Sequence, residues 1–185
     1  MKTIAILASG NGSNAENIIR KVKAKVAFVF SDHRDAKVLG RAKRLKVPYV
    51  SFELKDFESK DAYESKLALL LKKENVDLIV LAGYMRILSD RFVKSFPKKI
   101  INIHPSLLPE FKGTTHAIRE AFQAGVKKSG VTVHYVIPEL DSGPVILQEA
   151  VPRLKSDTLA QFEKRIHKKE FELYPKAIKE ILKCR

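Results

Sequence analysis

The sequence predicts an α/β fold: a mostly parallel, twisted sheet of about seven strands with helices on both faces. Three observations carry that expectation. Short apolar runs alternate with amphipathic stretches of helical period, the pattern of a parallel sheet covered by helices. A glycine-rich turn, Ser9-Gly10-Asn11-Gly12-Ser13-Asn14, joins the first apolar run to the first amphipathic stretch. The chain has 185 residues, of which 45% are hydrophobic, enough to bury a core without disulfides or a structural metal. A single domain over residues 1–185 is expected.

Taken in order, residues 3–8, 26–31, 78–82 and 100–104 are apolar runs that read as strands buried on both faces. Between them, residues 14–25, 36–45 and 60–75 read as helices, the last with Leu67, Leu70 and Leu71 at helical spacing. Right-handed crossovers place the loops after such strands along one edge of the sheet, where open α/β sheets bind ligands. The later part alternates at 130–136, with Val131, Val133 and Tyr135 set against Thr132 and His134. Residues 144–151 form another apolar run, and the loop 137–143 joins the two. A last helix is expected from an Asp157 N-cap to Lys183, with Leu159, Phe162, Ile166, Leu173, Ala177 and Ile181 inward. Glu170 falls on the same stripe, where a carboxylate requires a positive partner. Pro175 is expected to kink or split this helix.

Charge and cysteine content narrow the function classes. Lys and Arg number 35 against 21 Asp and Glu, a formal net charge of +14. The lysines are spread along the chain, which reads as a solvated surface, with attraction of anionic substrates as the functional alternative. Nucleic acid is not indicated. The one cysteine, Cys184, rules out a disulfide framework or zinc cluster within the chain and suits a reducing cytoplasm. The histidines lack close metal-ligand spacing, so no metal is expected. The N-terminal apolar segment is too short for a membrane span and lacks a signal-peptide layout.

Chemistry concentrates at three places. The turn Gly10 to Asn14 opens a helix, so its backbone N–H groups and the helix dipole form an anion site. It also fits the loose dinucleotide fingerprint Gly10-x-Gly12-x-x-Ala15. Asp32 stands where a ribose-binding acid would sit, so a nicotinamide-dependent enzyme is a competing reading. Alternatively the glycines serve only a tight turn. In Ile100-Ile101-Asn102-Ile103-His104-Pro105, period two puts Asn102 and His104 on one face of a strand that Pro105 ends. An amide beside an imidazole can stabilise an oxyanion and move a proton, although a satisfied core histidine is the plain alternative. Asp141, in the polar turn Glu139 to Pro144, is either a turn former or a partner that favours the imidazolium of His104. His134 and His116 are further candidates, each with an ordinary structural role open to it.

These motifs together resemble the phosphoribosylglycinamide formyltransferase family (GAR transformylase), folate-dependent enzymes of purine biosynthesis, over nearly the whole chain. The turn 9–14 resembles the family's phosphate loop, Leu81 to Ser89 its folate-pocket segment, Asn102 to Pro109 its catalytic signature, and Glu139 to Ile146 the loop carrying its catalytic aspartate. The resemblance implies a Rossmann-like formyltransferase fold, residues 1–100 being a phosphate-binding half and 101–185 a catalytic and folate half. It implies formyl transfer from 10-formyltetrahydrofolate, the co-substrate, to the amino group of 5-phosphoribosylglycinamide, with no metal. The catalytic residues implied are Asn102, His104 and Asp141. Gly10, Asn11, Gly12, Ser13 and Asn14 would hold the substrate phosphate and ribose, and Glu170 the acceptor amine. Lys60, Met85, Arg86, Ile87, Leu88 and Asn102 would line the folate site. Lys60 stands where the family often has an arginine, and lacks its planar fork. Contacts after Gly113 stay unassigned, and the resemblance suggests a cis Leu108–Pro109 bond. Partners implied are small molecules, in a cytoplasmic monomer or homodimer.

Other 10-formyltetrahydrofolate enzymes share this core, and formyltetrahydrofolate hydrolase is the alternative. Methionyl-tRNA formyltransferases would carry a further C-terminal domain, and the hydrolase an N-terminal one, for which this chain is expected to have no room. A phosphate-binding module without catalysis would leave Asn102, His104 and Asp141 unexplained.

Overall fold

The computed structural model describes residues 1–183, so Cys184 lies outside the described residues. The elements in order are β1 (Thr3–Leu7), α1 (Ser13–Lys21), β2 (Lys25–Ser31), α2 (Lys37–Arg44), β3 (Tyr49–Ser51), a 3-10 turn (Leu54–Asp56), α3 (Lys60–Lys73), β4 (Leu78–Leu81), α4 (Asp90–Lys94), β5 (Ile100–His104), α5 (Ala117–Gln123), β6 (Lys128–Tyr135), β7 (Val145–Pro152) and α6 (Leu159–Lys183). The strands form a seven-stranded sheet in the order β3-β2-β1-β4-β5-β6-β7, an α/β architecture as expected. The chain falls into two compact units, Met1–Ile101 and Asn102–Arg185.

In the first unit β1 pairs in parallel with β2 on one side and with β4 on the other, and β2 pairs in parallel with β3. Ile4, Ile6, Leu7, Val29, Phe30, Ile79 and Val80 are fully buried, as continuous apolar runs covered on both faces should be. Strand order runs outward from β1 to β3 and then returns to place β4 on the other side of β1. Right-handed crossovers therefore put α1 and α2 on one face and α3 on the opposite one. The loops after β1 and β4 flank that reversal, the usual ligand crevice of an open α/β sheet. Beside it Phe30, Phe52, Phe57, Tyr63 and Tyr84 pack as tilted and edge-on rings, Phe30 and Phe52 with centroids 4.7 Å apart. Burial pushes the Tyr63 phenol up to about 12, while its hydroxyl shares a 2.8 Å hydrogen bond with that of Tyr84.

Helix α3 begins where Ser59 Oγ accepts the Ala62 N–H at 3.1 Å. Helix α4, unforeseen in the sequence, begins at Ser89, whose Oγ accepts the Phe92 N–H at 3.2 Å. Buried Glu64 fixes that cap, accepting from the Ser89 N–H at 2.9 Å and from its hydroxyl. Periodicity is uninformative over elements as short as β3 and α4, and of the two only α4 carries a further local signal, its Ser89 cap.

In the second unit β6 and β7 pair antiparallel, with a shift of register between Val133 and His134. The polar residues that alternate along β6 are buried too: Thr132 and His134 lie inside with Val131 and Val133. Thr132 is satisfied there, since its Oγ1 donates to Ser106 O at 2.7 Å and accepts from Leu108 N–H at 3.1 Å and Gln148 Nε2 at 2.8 Å. The Leu108–Pro109 bond is cis. Helix α6 packs on β6, β7 and α5 through Phe162, Ile166, Leu173, Ala177 and Ile181.

Two expectations for α6 need correction. Of the two outcomes expected at Pro175, the split does not occur: the helix runs unbroken over Leu159–Lys183. Pro175 itself is buried with Leu173, Tyr174 and Ala177, and that packing outweighs the roughly 3 kcal/mol a helical proline costs. Nor is Asp157 the N-cap. Its carboxylate is taken bidentately by Arg165, at 2.6 and 2.8 Å, and by the Leu154 N–H at 2.7 Å. Thr158 caps instead, its Oγ1 accepting the Gln161 N–H at 3.3 Å while Gln161 Oε1 accepts the Thr158 N–H at 2.8 Å, a capping box. No described helix is long and apolar enough to cross a membrane.

Candidate active site

In the first unit the β1–α1 turn is shaped by Gly12, the N-cap of α1, with φ 74°. A Cβ at this position would collide with the Val38 side chain on α2, so glycine is required both by backbone conformation and by space. No side chain caps the helix. Its first N–H groups are thus not taken up by a capping side chain. Asn14 turns its side-chain Oδ1 into a buried position where, among the described residues, it meets no donor.

Ser9 links this turn to the segment after β4. Its N–H donates to Gly83 O at 2.9 Å, and its Oγ accepts the Met85 N–H at 2.8 Å. Along that segment Met85 and Ile87 are 63% and 65% exposed, an unusual display of apolar side chains on either side of a charged one. Arg86 turns inward between them. Its Nε lies 2.8 Å from Asp32 Oδ2, and its guanidinium sits 5.8 Å from the Tyr63 ring centroid. Asp32 is buried against Arg86, which removes the exposed acid that a dinucleotide ribose would need and tells against the nicotinamide reading. Leu88 is half-buried, and Lys60 is half-exposed with its Nζ 3.8 Å from Glu64.

The second unit contains the Asn102, His104 and Asp141 side chains. Strand β5 alternates as expected: Ile101 and Ile103 are buried, while half-buried Asn102 shares the opposite face with His104. His104 Nε2 donates to Phe111 O at 2.8 Å, and Nδ1 faces Asp141 Oδ2 at 3.5 Å. In the imidazolium form both ring N–H groups therefore meet acceptors. Asp141 reaches this position from the tip of the β6–β7 loop, in the left-handed region at φ 50° that a short polar residue tolerates. The loop folds tightly, since a Cβ on Gly143 would run into the Tyr135 carbonyl. Asp141 Oδ2 also accepts the Gly113 N–H at 2.9 Å.

The structure brings His134 to the same carboxylate, its Nε2 3.6 Å from Asp141 Oδ1 and its Nδ1 donating to Tyr135 O at 3.0 Å. Burial lowers the His134 pKa, which disfavours the charged form of its ring. His134 keeps the face it shares with Thr132, and the register shift beside it leaves Ile146 of β7 without a partner. His116 is exposed at the N-cap of α5. Glu170 is buried on α6, and the positive partner its position called for is His167, whose Nδ1 lies 2.6 Å from Glu170 Oε2. Among the described residues no group of three or more His, Cys, Asp and Glu side chains could hold a metal.

A family model described as formyl transferase matches residues 2–178. The chain is 46% identical to the phosphoribosylglycinamide formyltransferase of Bacillus subtilis, covering 98% of this chain and 95% of that protein. Against the enzyme of the same name from Haemophilus influenzae the identity is 41%, covering 97% and 86%. The crystal structure of phosphoribosylglycinamide formyltransferase from Streptococcus pneumoniae superposes with a TM-score of 0.94 at 51% identity, covering 98% of this chain and 99% of that one.

Proposed function

The chain belongs to the formyl transferase family, and from that premise we propose that it is a phosphoribosylglycinamide formyltransferase. It transfers the formyl group of 10-formyltetrahydrofolate to the amino group of 5-phosphoribosylglycinamide. The products are 5-phosphoribosyl-N-formylglycinamide and tetrahydrofolate, a step of purine biosynthesis. The observation that carries the reading is the pairing of His104 with the Asp141 carboxylate at 3.5 Å, on the face of β5 that also presents Asn102.

The neutral amine attacks the formyl carbon, a C–N bond forms, and the carbonyl electrons move onto oxygen. Asn102 donates a hydrogen bond to that oxyanion, and the imidazolium of His104 stabilises it. Asp141 orients the ring through its carboxylate 3.5 Å from Nδ1. The bond from the formyl carbon to the folate nitrogen then breaks, and the proton lost by the amine reaches that nitrogen with the help of His104. Gly10, Asn11, Gly12, Ser13 and Asn14 hold the acceptor's phosphate and ribose, and Glu170 holds its amine through the carboxylate that His167 orients. Met85, Arg86, Ile87 and Leu88 border the pterin. Arg86 acts through its pairing with Asp32, which supports the segment, and Lys60 lies toward the folate tail. The enzyme works in the cytoplasm as a monomer or homodimer on small molecules, without metal, membrane or nucleic acid.

The test follows folate absorbance when the protein is mixed with 10-formyltetrahydrofolate, with and without 5-phosphoribosylglycinamide. Deformylation that requires the acceptor and falls at least about a hundredfold in His104→Ala is the expected result. Deformylation without the acceptor would establish the hydrolase instead, and no deformylation would overturn both.

A further inference from the structure

A trans peptide unit points its C=O and its N–H in opposite directions, so whatever holds a loop's carbonyls decides where its donors aim. In the turn before α1 those carbonyls are held by α2. The Val38 N–H donates to Gly10 O at 3.1 Å, and Arg41 Nε donates to Asn11 O at 2.7 Å. The N–H groups of Asn11 and Gly12 are the other ends of these two peptide units. They consequently face away from α2, and among the described residues neither donates to a protein acceptor.

Arg41 does more than bind one carbonyl. Its Nη2 donates to Asn11 Oδ1 at 2.9 Å, and its Nη1 donates to Glu16 Oε2, in the first turn of α1, at 2.6 Å. One planar guanidinium thus joins the loop to the helix it opens. Glu16 also receives Arg44 at 2.7 Å and Arg20 at 2.9 Å. These guanidinium bonds, that of Arg41 first, hold the Glu16 carboxyl down to about 2. The charge of Arg41 is therefore met within the protein, and what the residue contributes to the turn is geometry.

We propose that Arg41 is a positioning residue for the acceptor's phosphate: by gripping Asn11 and Glu16 together it aims the Asn11 and Gly12 N–H groups at the anion. The inference rests on the reading of the turn as a phosphate site. Lysine would keep the charge, but it has no planar fork to reach Asn11 O, Asn11 Oδ1 and Glu16 at once.

The experiment compares the full-length protein with Arg41→Lys and Arg41→Gln in two ways. Steady-state kinetics give kcat and the KM of each substrate, and 15N spectra follow the Asn11 and Gly12 amide resonances as inorganic phosphate is added. Both variants should raise the KM for 5-phosphoribosylglycinamide about tenfold, with kcat and the folate KM within about twofold. The phosphate needed to shift the two amides should rise by a similar factor, and the Lys variant should not rescue. An Arg41→Lys protein with unchanged acceptor KM, or one that loses kcat while keeping KM, overturns the role of Arg41. If Arg41→Gln does not fold, Arg41→Lys alone decides. Wild-type amides that ignore phosphate would overturn the phosphate site itself, which separates that failure from the first.

Discussion

Replacing Asp141 by asparagine removes a negative charge from beside His104 and leaves nearly the same shape. Asparagine tolerates the left-handed backbone at φ 50°, and its side-chain oxygen can still accept the Gly113 N–H. What disappears is the charge 3.5 Å from His104 Nδ1, between side chains only 6% and 7% exposed, where solvent screens little. Two unit charges at that separation interact by about 5 kcal/mol at an effective dielectric constant near 20. The asparagine dipole and local relaxation recover part of this, leaving a net loss of about 3–4 kcal/mol in the transition state, where His104 carries its charge. That corresponds to a kcat lower by a factor of several hundred. Initial rates from folate absorbance at saturating substrates measure it, with the acceptor KM and the melting temperature taken on the same preparation. Both of the latter should stay near wild type. A variant keeping more than about a tenth of the turnover would refute the argument that the Asp141 charge supports His104. Loss confined to KM would make Asp141 a binding residue instead.

Gly12→Ala must adopt φ 74° and meet the Val38 side chain; strain and overpacking together cost about 3 kcal/mol, lowering Tm by about 6–12 °C. Calorimetry showing no loss would mean that the turn can rearrange without strain. His167 bonds Glu170, which raises its pKa from the ordinary histidine value. Stability from such a group is complete below the unfolded value, about 6.5, and is lost as pH rises through the folded value. The Tm difference between wild type and His167→Gln should accordingly be largest near about pH 6 and shrink toward about pH 9; a pH-independent difference would show that the pair carries no charge.

Much of the fold was legible because it is written in local periods. Both-face burial makes β1, β2, β4 and β5 continuous apolar runs, and the helices between them carry 3.6-residue stripes. The side of β5 that holds Asn102 and His104 follows from a period of two alone. Glu170 was also legible, as a carboxylate on an apolar stripe, although its partner His167 was not. The shortest elements were hidden, since three to five residues hold too little periodicity. Asp157 does not cap the helix because Arg165, eight residues on, captures the carboxylate that would otherwise bond the helix N-terminus.

From the sequence alone came the strand–helix alternation, the glycine turn able to leave N–H groups for an anion, and the placement of Asn102 beside His104. All three rest on interactions between residues close along the chain, whose geometry the backbone imposes. Only the tertiary structure decided the partners: Asp141 with His104, His134 beside the same carboxylate, Arg86 drawn inward to Asp32, and Arg41 gripping Asn11 and Glu16. Charges attract and hydrogen bonds form according to distance through space. In this chain those distances are set by loop closure and sheet order, which bring residues 30 or more positions apart to within about 3 Å.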